Sequence, residues 1–189
     1  GHELDLTSEY STIALGTDGH SLTTDGTYLY ACASPDVKKI LISDPSQFTT
    51  LGGDSCSDLT TDGTYLYLLE GPWGPVTKMS VNGGNKTTVY NGAITDSNGM
   101  TTDGSYLYIF DDGHVKKIDL ATNQLVENLQ HPGPRGLRGT IVGETLYISG
   151  TNIRKMNTSG ADFATLINGY IEGLGSDGTH IYYADGSDL

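Results

Sequence analysis

The chain has 189 residues, enough for one domain, and its 26 glycines are about twice the usual share of ~7%. Its 23 acidic and 10 basic residues give a formal net charge of −13, which repels nucleic acids and anionic lipid surfaces. No apolar run reaches the ~20 residues of a membrane helix. From the charge we expect no nucleic-acid partner, and from the missing apolar run we expect no membrane insertion.

A nine-residue peptide recurs along the chain. LTTDGTYLY occupies 22–30 and 59–67, and MTTDGSYLY occupies 100–108. Two degenerate copies, GTIVGETLY and LGSDGTHIY, end at Tyr147 and Tyr182, so the final tyrosines are 37, 41, 39 and 35 residues apart. A fixed period in this range is typical of repeat architectures.

Each repeat predicts four short strands. A small polar segment and a DG turn lead into the alternating YLY segment. A third segment follows, as VKKILI, VTKMSV, VKKIDL or IRKMN, and then a fourth, as FTTLGG, TTVYNG or FATLING. Period-2 alternation without a helical stripe predicts an all-β chain of four-stranded antiparallel blades arranged radially, a β-propeller.

The fifth repeat lacks its last two segments before the sequence stops. HELDL from His2 and YSTIALG from Tyr10 match third and fourth segments. We therefore predict one domain over 1–189, a five-bladed β-propeller whose N-terminal strands complete the last blade and close the ring. The predicted blades cover about 21–53, 58–92, 99–130, 138–168, and 173–189 plus 1–16. The alternative is a fragment of a larger ring.

The repeats resemble those of the NHL, YWTD and related propellers over essentially the whole chain. The carriers are LTTDGTYLY, MTTDGSYLYIFDDGHVKKIDL and SDGTHIYYADGSDL. The YWTD tetrapeptide is absent, and YIFD at Tyr108 and YYAD at Tyr182 are the nearest forms. That class usually has more blades. Five blades are similar in number to tachylectin-type sugar binders and some glycoside hydrolases, but none of their motifs occurs here. The resemblance implies a scaffold and no particular function.

Residues at repeated positions are explained by the fold. Asp before Gly is typical of tight turns, and the YLY tyrosines are predicted to pack between blades. The lysines and the arginine of the third segments are predicted to form a solvated outer stripe.

In propellers, the loops between blades and those between second and third strands share one face around the central channel. On that face Trp73, the only tryptophan, lies in EGPWGP, which starts at Glu70. A stiff loop with an exposed indole suits stacking on a sugar or anchoring a protein. The alternative is a lid over the apolar rim of its blade.

The connection HPGPRGLRG brings His131, Arg135 and Arg138 to the same face. A guanidinium there could hold a carboxylate or phosphate, or could pair internally with Glu172, Asp96 or Asp112. The remaining ligand-binding candidates on the face are His20, Tyr170, Glu172 and Glu70.

Two further groups of residues are candidates. Asp111, Asp112 and His114 could bind Ca²⁺ or a transition metal, although their spacing matches no defined metal loop and DDGH is typical of a tight turn. Cys32 and Cys56 are expected on the same face of adjacent blades, where they either form a disulfide or remain two buried thiols. A disulfide would place the protein in an oxidising compartment, extracellular or periplasmic.

The sequence contains no GxSxG, HExxH or CxxC motif and predicts no catalytic residue and no cofactor other than Ca²⁺. We expect a monomeric, non-catalytic module that binds a carbohydrate or a protein through the loop face. One alternative is a small hydrolase or lyase, with His20, His114, His131, Asp111 and Glu172 converging at the channel mouth. Another is a structural domain of a larger surface protein.

Overall fold

The structure is a computed structural model that describes residues 19–53, 55–95, 97, 99–131 and 138–185, apart from the side chains of His20 and Asp185. Eighteen strands form five antiparallel sheets over these ranges. In the part of the chain so described, no helix is long and apolar enough to cross a membrane.

Four sheets have four strands each, hydrogen-bonded in chain order, and we call them blades 1 to 4. Blade 1 contains β1 (Gly19–Thr24), β2 (Tyr28–Ala33), β3 (Asp36–Leu41) and β4 (Phe48–Gly52). Blade 2 contains β5 (Asp58–Thr61), β6 (Tyr65–Leu69), β7 (Val76–Ser80) and β8 (Thr87–Tyr90). Blade 3 contains β9 (Gly99–Thr102), β10 (Tyr106–Asp111), β11 (His114–Asp119) and β12 (Gln124–Gln130). Blade 4 contains β13 (Arg138–Val142), β14 (Thr145–Ser149), β15 (Asn152–Asn157) and β16 (Ala164–Asn168).

The predicted count of five four-stranded blades needs correction, because four are present in the described residues. The fifth sheet has two strands, β17 (Ile171–Ser176) and β18 (Ile181–Asp185). The difference arises because the prediction took the other two strands from residues 2–16, which lie outside the described residues, so closure of the ring is not shown.

The first strand of every sheet lies innermost. β5 contacts β1 and β9, and β13 contacts β9 and β17, so these five strands follow one another around a central channel. The channel cavity has a volume of about 620 Å³. Three apolar clusters lie between successive blades 1 to 4, so the core is divided among the blade interfaces.

The DG turn that recurs in the repeats is held by one carboxylate. In blade 2, Asp62 accepts the N–H groups of Thr64 and Tyr65 at 2.8 and 2.7 Å with one oxygen and the Tyr67 hydroxyl at 2.8 Å with the other. Gly63 has a φ of +86°, the left-handed conformation that glycine adopts without strain. Equivalent bonds occur at Asp25, Asp103 and Asp177. The TDGTYLY peptide is therefore a turn closed by its own tyrosine.

Two lysines of the predicted outer stripe bridge blades instead of being simply solvated. The Lys39 ammonium lies 4.1 Å from the centre of the Tyr28 ring and donates to Asn82 Oδ1 of the next blade at 2.8 Å. Lys117 likewise lies 4.5 Å from the centre of the Tyr106 ring and donates to the Thr158 carbonyl, which follows β15 of blade 4, at 3.1 Å. A cation over an aromatic face is attracted by the ring quadrupole, so these side chains add contacts between strands and blades.

The interface between blades 3 and 4 departs from the repeat, because a residue without a side chain in blade 4 faces a large side chain in blade 3. Leucine or methionine occupies the second inner-strand position in blades 2 and 3, where blade 4 has Gly139. A Cβ atom on Gly139 would lie 2.2 Å from the ring of Phe110, which is fully buried. The phenyl ring of blade 3 thus fills the space that the missing side chain leaves.

Candidate functional site

The loops between blades and those joining second to third strands lie at the same end of the antiparallel sheets, and we call that end the loop face. Its described segments are 34–35, 53 with 55–57, 70–75, 91–95 with 97, 112–113, 150–151 and 169–170. It surrounds one mouth of the central channel, because the inner strands start there.

Trp73 is the most exposed large apolar side chain described, with 71% of its surface accessible to solvent. Its loop is closed by a backbone hydrogen bond from Glu70 N–H to the Pro75 carbonyl at 3.1 Å. The Pro72 carbonyl accepts the Ser97 N–H at 3.1 Å, which ties the loop to the connection into blade 3. The indole therefore projects from a fixed backbone.

Two further features restrict this loop. A Cβ on Gly74 would lie 1.7 Å from the Glu70 carbonyl oxygen, so only glycine fits there. The Glu70 carboxylate accepts a hydrogen bond from Thr77 Oγ1 at 2.8 Å and forms an ion pair with Lys86. Glu70, predicted as a ligand-binding residue, thus braces the base of the loop that carries Trp73.

A second polar group lies where the loop face meets the channel. Asp58, at the start of β5, accepts hydrogen bonds from the Ser21 hydroxyl of blade 1 and from the Met100 N–H of blade 3, the latter at 2.6 Å. Burial raises the pKa of Asp58 to about 6, although these hydrogen bonds and the charge of Arg138 favour the ionised form. One carboxylate therefore links three blades around the channel.

Arg138 is exposed at the start of β13 and lines the channel with Asp58. Of the internal partners that the sequence suggested for the arginines, none pairs with Arg138 among the described residues. The structure instead brings it within electrostatic range of Asp58. Arg135 lies outside the described residues, as does the side chain of His20.

His131 is buried, with 2% of its surface accessible. Its Nδ1 lies 3.3 Å from Nη1 of Arg154, which is also buried. Burial, together with electrostatic repulsion from Arg154 and His114, lowers the pKa of His131 to about 4, so the imidazole is neutral at neutral pH. The pair joins the end of β12 to β15 and is remote from solvent, which supports a structural role.

The predicted metal cluster is held together by the protein itself. Asp111 is buried, forms an ion pair with Lys116 at 2.6 Å and accepts the N–H groups of Thr95 and Asp112, both at 2.9 Å. His114 Nδ1 lies 3.0 Å from the Asp112 carbonyl oxygen. Over the described ranges no three potential metal ligands come together. These contacts support turn and blade stabilisation by Asp111.

A disulfide joins Cys32 to Cys56, with 5.7 Å between the Cα atoms. It connects the end of β2 to the segment that leads into β5, and both residues are buried. Ser34 and Ser55 form a hydrogen bond at 3.2 Å beside it. This part of the loop face is therefore covalently fixed between blades 1 and 2.

Tyr170 is exposed in the loop-face connection into the fifth sheet, with 59% of its surface accessible. Glu172 is exposed in β17, just beyond that connection. In chain order, blades 3 and 4 lie between these residues and the Trp73 loop of blade 2.

Sequence reasoning missed Asp58 as a site residue, and it expected Arg154 in the solvated outer stripe although Arg154 is buried. An alignment of the inner strands could have found Asp58, because it carries a charge where blades 1 and 3 have Ser21 and Gly99. It could not have found Arg154, because Lys38 and Lys116 occupy the equivalent positions of blades 1 and 3.

The chain has the fold of a β-propeller, with antiparallel sheets set around a channel. A solved structure of a nidogen/laminin complex contains a similar chain, with a TM-score of 0.75 and 14% identity over 88% of this chain and 72% of that one. Hydrazine synthase of Kuenenia stuttgartiensis is similar with a TM-score of 0.63 and 18% identity, over 87% and 61% of the two chains. No family model matches the chain, and no curated protein matches its sequence. Identities this low establish a shared fold alone.

Proposed function

We propose that this protein is a protein-interaction module whose loop face binds its partner through Trp73. The observation that carries the proposal is an indole with 71% of its surface exposed on a loop fixed by backbone hydrogen bonds. Tryptophan is enriched among the residues that dominate binding energies, and a loop that is already ordered loses little entropy on binding.

Two further observations support a protein partner. The net charge of −13 favours encounter with a basic surface through long-range attraction. The solved nidogen/laminin complex is an assembly of two proteins that includes this fold, although its 14% identity carries no information on residues. The predicted carbohydrate ligand has no support from these similarities and stays a prediction.

The test compares three purified baits: the wild-type protein, Trp73→Ala, and Phe48→Ala as the matched control. Phe48 has 51% of its surface exposed on the outer strand β4, away from the loop face. Proteins that wild type and Phe48→Ala retain from extracellular extracts, and Trp73→Ala loses, are then purified and titrated directly. We expect Trp73→Ala to weaken the purified complex about 30-fold or more.

Two results would contradict the proposal. One is a purified partner that binds Trp73→Ala as tightly as wild type. The other is equal loss with Phe48→Ala, which would assign the interaction to general exposure of aromatic surface. Thermal unfolding of each variant must match wild type, because an exposed side chain contributes little to the core.

We also propose that residues 2–6 and 10–16 complete the fifth sheet and close the ring. The support is that two side chains at the fifth sheet and blade 1 are exposed to solvent, although the residues at the same positions of blade 2 are buried. Tyr182 is 49% exposed although Tyr67 is 2% exposed, and Leu22 is 61% exposed although Leu59 is 3% exposed. A protein lacking residues 1–16 should unfold at lower denaturant concentration, and a synthetic peptide of those residues should restore stability. Lack of any effect from the deletion would refute closure by this segment.

The Cys32–Cys56 disulfide supports an oxidising compartment. We propose an extracellular or periplasmic location on that basis.

A further inference from the structure

The central channel is lined by two rings of inner-strand residues. One ring, which we call the threonine ring, consists of the inner-strand residues that pair with the final tyrosine of each repeat. Its members are Thr23, Thr60, Thr101, Thr140 and Gly175. The other ring, which we call the upper ring, lies two residues earlier in each strand and nearer the loop face. Its members are Ser21, Asp58, Gly99, Arg138 and Gly173. All ten residues line the cavity of about 620 Å³.

Two members of the threonine ring carry hydroxyl groups that no described residue uses, whereas the Thr140 hydroxyl pairs with that of Ser176 at 3.1 Å. Thr60 and Thr101 are buried, with 7% and 8% of their surfaces accessible, and line the channel. Neither hydroxyl has a hydrogen bond to another residue of the described ranges. Because both residues line the channel, their hydroxyls are available to bond to water or to a ligand there.

The upper ring adds one negative and one positive group. Asp58 and Arg138 lie in blades 2 and 4, and Gly99 of blade 3 stands between them without a side chain. Asp58 accepts bonds from Ser21 and Met100, and a carboxylate has about four acceptor positions, so further acceptor capacity remains. The guanidinium of Arg138 has no hydrogen-bond partner among the described residues. The formal charge of this ring is therefore balanced.

We propose that the channel binds a compact neutral polyol of the size and hydroxyl density of a free hexose. Such a ligand offers both donors and acceptors at close spacing. These groups match threonine hydroxyls that both donate and accept, a carboxylate that accepts and a guanidinium that donates. A neutral ligand adds no charge to a ring whose formal charges already balance, so the ligand itself brings no unpaired charge into the channel.

The cavity size and the apolar part of its wall are consistent with this ligand class. A volume of about 620 Å³ lies within the usual range for small-molecule sites. Leu59, Met100 and Leu174 also line the cavity, so C–H faces of a sugar ring would meet carbon atoms between the polar rings. The site uses no residue of the Trp73 loop and is independent of the proposed protein interaction.

The experiment measures binding of D-glucose, D-galactose, D-mannose and myo-inositol by saturation-transfer NMR and calorimetry. The test variants are Thr101→Val and the double variant Thr60→Val/Thr101→Val, which keep the branched shape and remove only hydroxyls. Thr88→Val is the matched control, because Thr88 is exposed on the outer strand β8. Trp73→Ala is included to separate the two proposals.

We expect one member of the panel to bind wild type, Thr88→Val and Trp73→Ala equally. Thr101→Val should raise the dissociation constant about tenfold, and the double variant more, because each removed hydroxyl loses one buried hydrogen bond to the ligand. No binding of any panel member to wild type would overturn the proposal and leave a channel filled by water. Binding that Thr101→Val leaves unchanged, or that Trp73→Ala abolishes, would also overturn it.

Discussion

Replacing Asp58 with asparagine tests whether the half-buried carboxylate that links three blades destabilises the fold when it is ionised. The asparagine oxygen can accept the Met100 N–H, and its amide nitrogen can donate to Ser21 Oγ, so both partners in the neighbouring blades stay satisfied. The variant differs from wild type mainly in having no charge to bury. Asp58→Ala removes the linkage itself and leaves the Met100 N–H without its acceptor.

The pKa of Asp58 gives the sign and size of the effect. The folded-state pKa of about 6 lies about two pH units above the ordinary value of 3.8. The protonated side chain therefore favours the folded state below pH 3.8, and that contribution is lost as the pH rises through 6. At 1.36 kcal/mol per unit, the loss amounts to about 3 kcal/mol.

The assay is urea unfolding of wild type and Asp58→Asn at several values between pH 4 and pH 7.5. We expect the stability of Asp58→Asn relative to wild type to rise by about 2 kcal/mol across that interval, because part of the full effect already lies below pH 4. Comparing two proteins matters because His131 acts in the opposite direction. Its pKa is lowered to about 4, so its contribution to stability is lost as the pH falls below 6.5, in wild type and variant alike.

Asp36→Asn, the same chemical change on the third strand of blade 1, serves as the control for removing a carboxylate charge outside the channel. Asp58→Ala should be less stable than Asp58→Asn at every pH, by about 1–3 kcal/mol, because a buried donor loses its acceptor. A difference between Asp58→Asn and wild type that does not change with pH would refute the burial of this carboxylate.

Two further predictions concern packing and the covalent link. Gly139→Ala should destabilise the protein by about 1–3 kcal/mol, because its Cβ would lie 2.2 Å from the Phe110 ring. Gly175→Ala is the control and should be nearly neutral, because the space around its Cβ position is open. Equal urea midpoints for the two variants would contradict this packing. Replacing both Cys32 and Cys56 with serine should reduce the free energy of unfolding by about 3 kcal/mol, as expected for a loop closed over a separation of 24 residues, and an unchanged midpoint would contradict a stabilising disulfide.

Much of the fold could be predicted because the repeat carries its own local chemistry. The DG turn, the alternating YLY strand and the spacing between copies specify a four-stranded antiparallel sheet, and the structure contains four such sheets. The fifth sheet has two strands in the described residues. The prediction assigned its other two strands to residues 2–16, which lie outside the described part of the chain. Local pattern thus predicts a blade better than it predicts the number of blades.

Contacts between blades were harder to predict, because they depend on which side chains meet across an interface. Lys39 was expected in solvent, yet it lies over Tyr28 and reaches Asn82 of the next blade. His131 was expected on the loop face, yet it is buried against Arg154. Neither contact leaves a local signal in the sequence, since each joins residues from different repeats.

In the candidate site, too, local features could be predicted from the sequence and contacts between blades could not. The exposure of Trp73 followed from a glycine- and proline-rich loop, which cannot continue the strands on either side of it. The role of Asp58 depends on Ser21 and Met100, which lie 37 and 42 residues away in the chain. Comparing inner strands position by position would have marked Asp58 and Arg138 as charged exceptions in a ring of small residues.

The most direct test of the central claim is the fluorescence of the single tryptophan in the folded protein, measured by acrylamide quenching together with time-resolved anisotropy. The account predicts an indole that is quenched nearly as strongly as in urea, yet tumbles with the whole molecule, because the loop of Trp73 is exposed and fixed. A protected indole, or one that rotates freely on a sub-nanosecond timescale, would contradict a rigid binding anchor on the loop face.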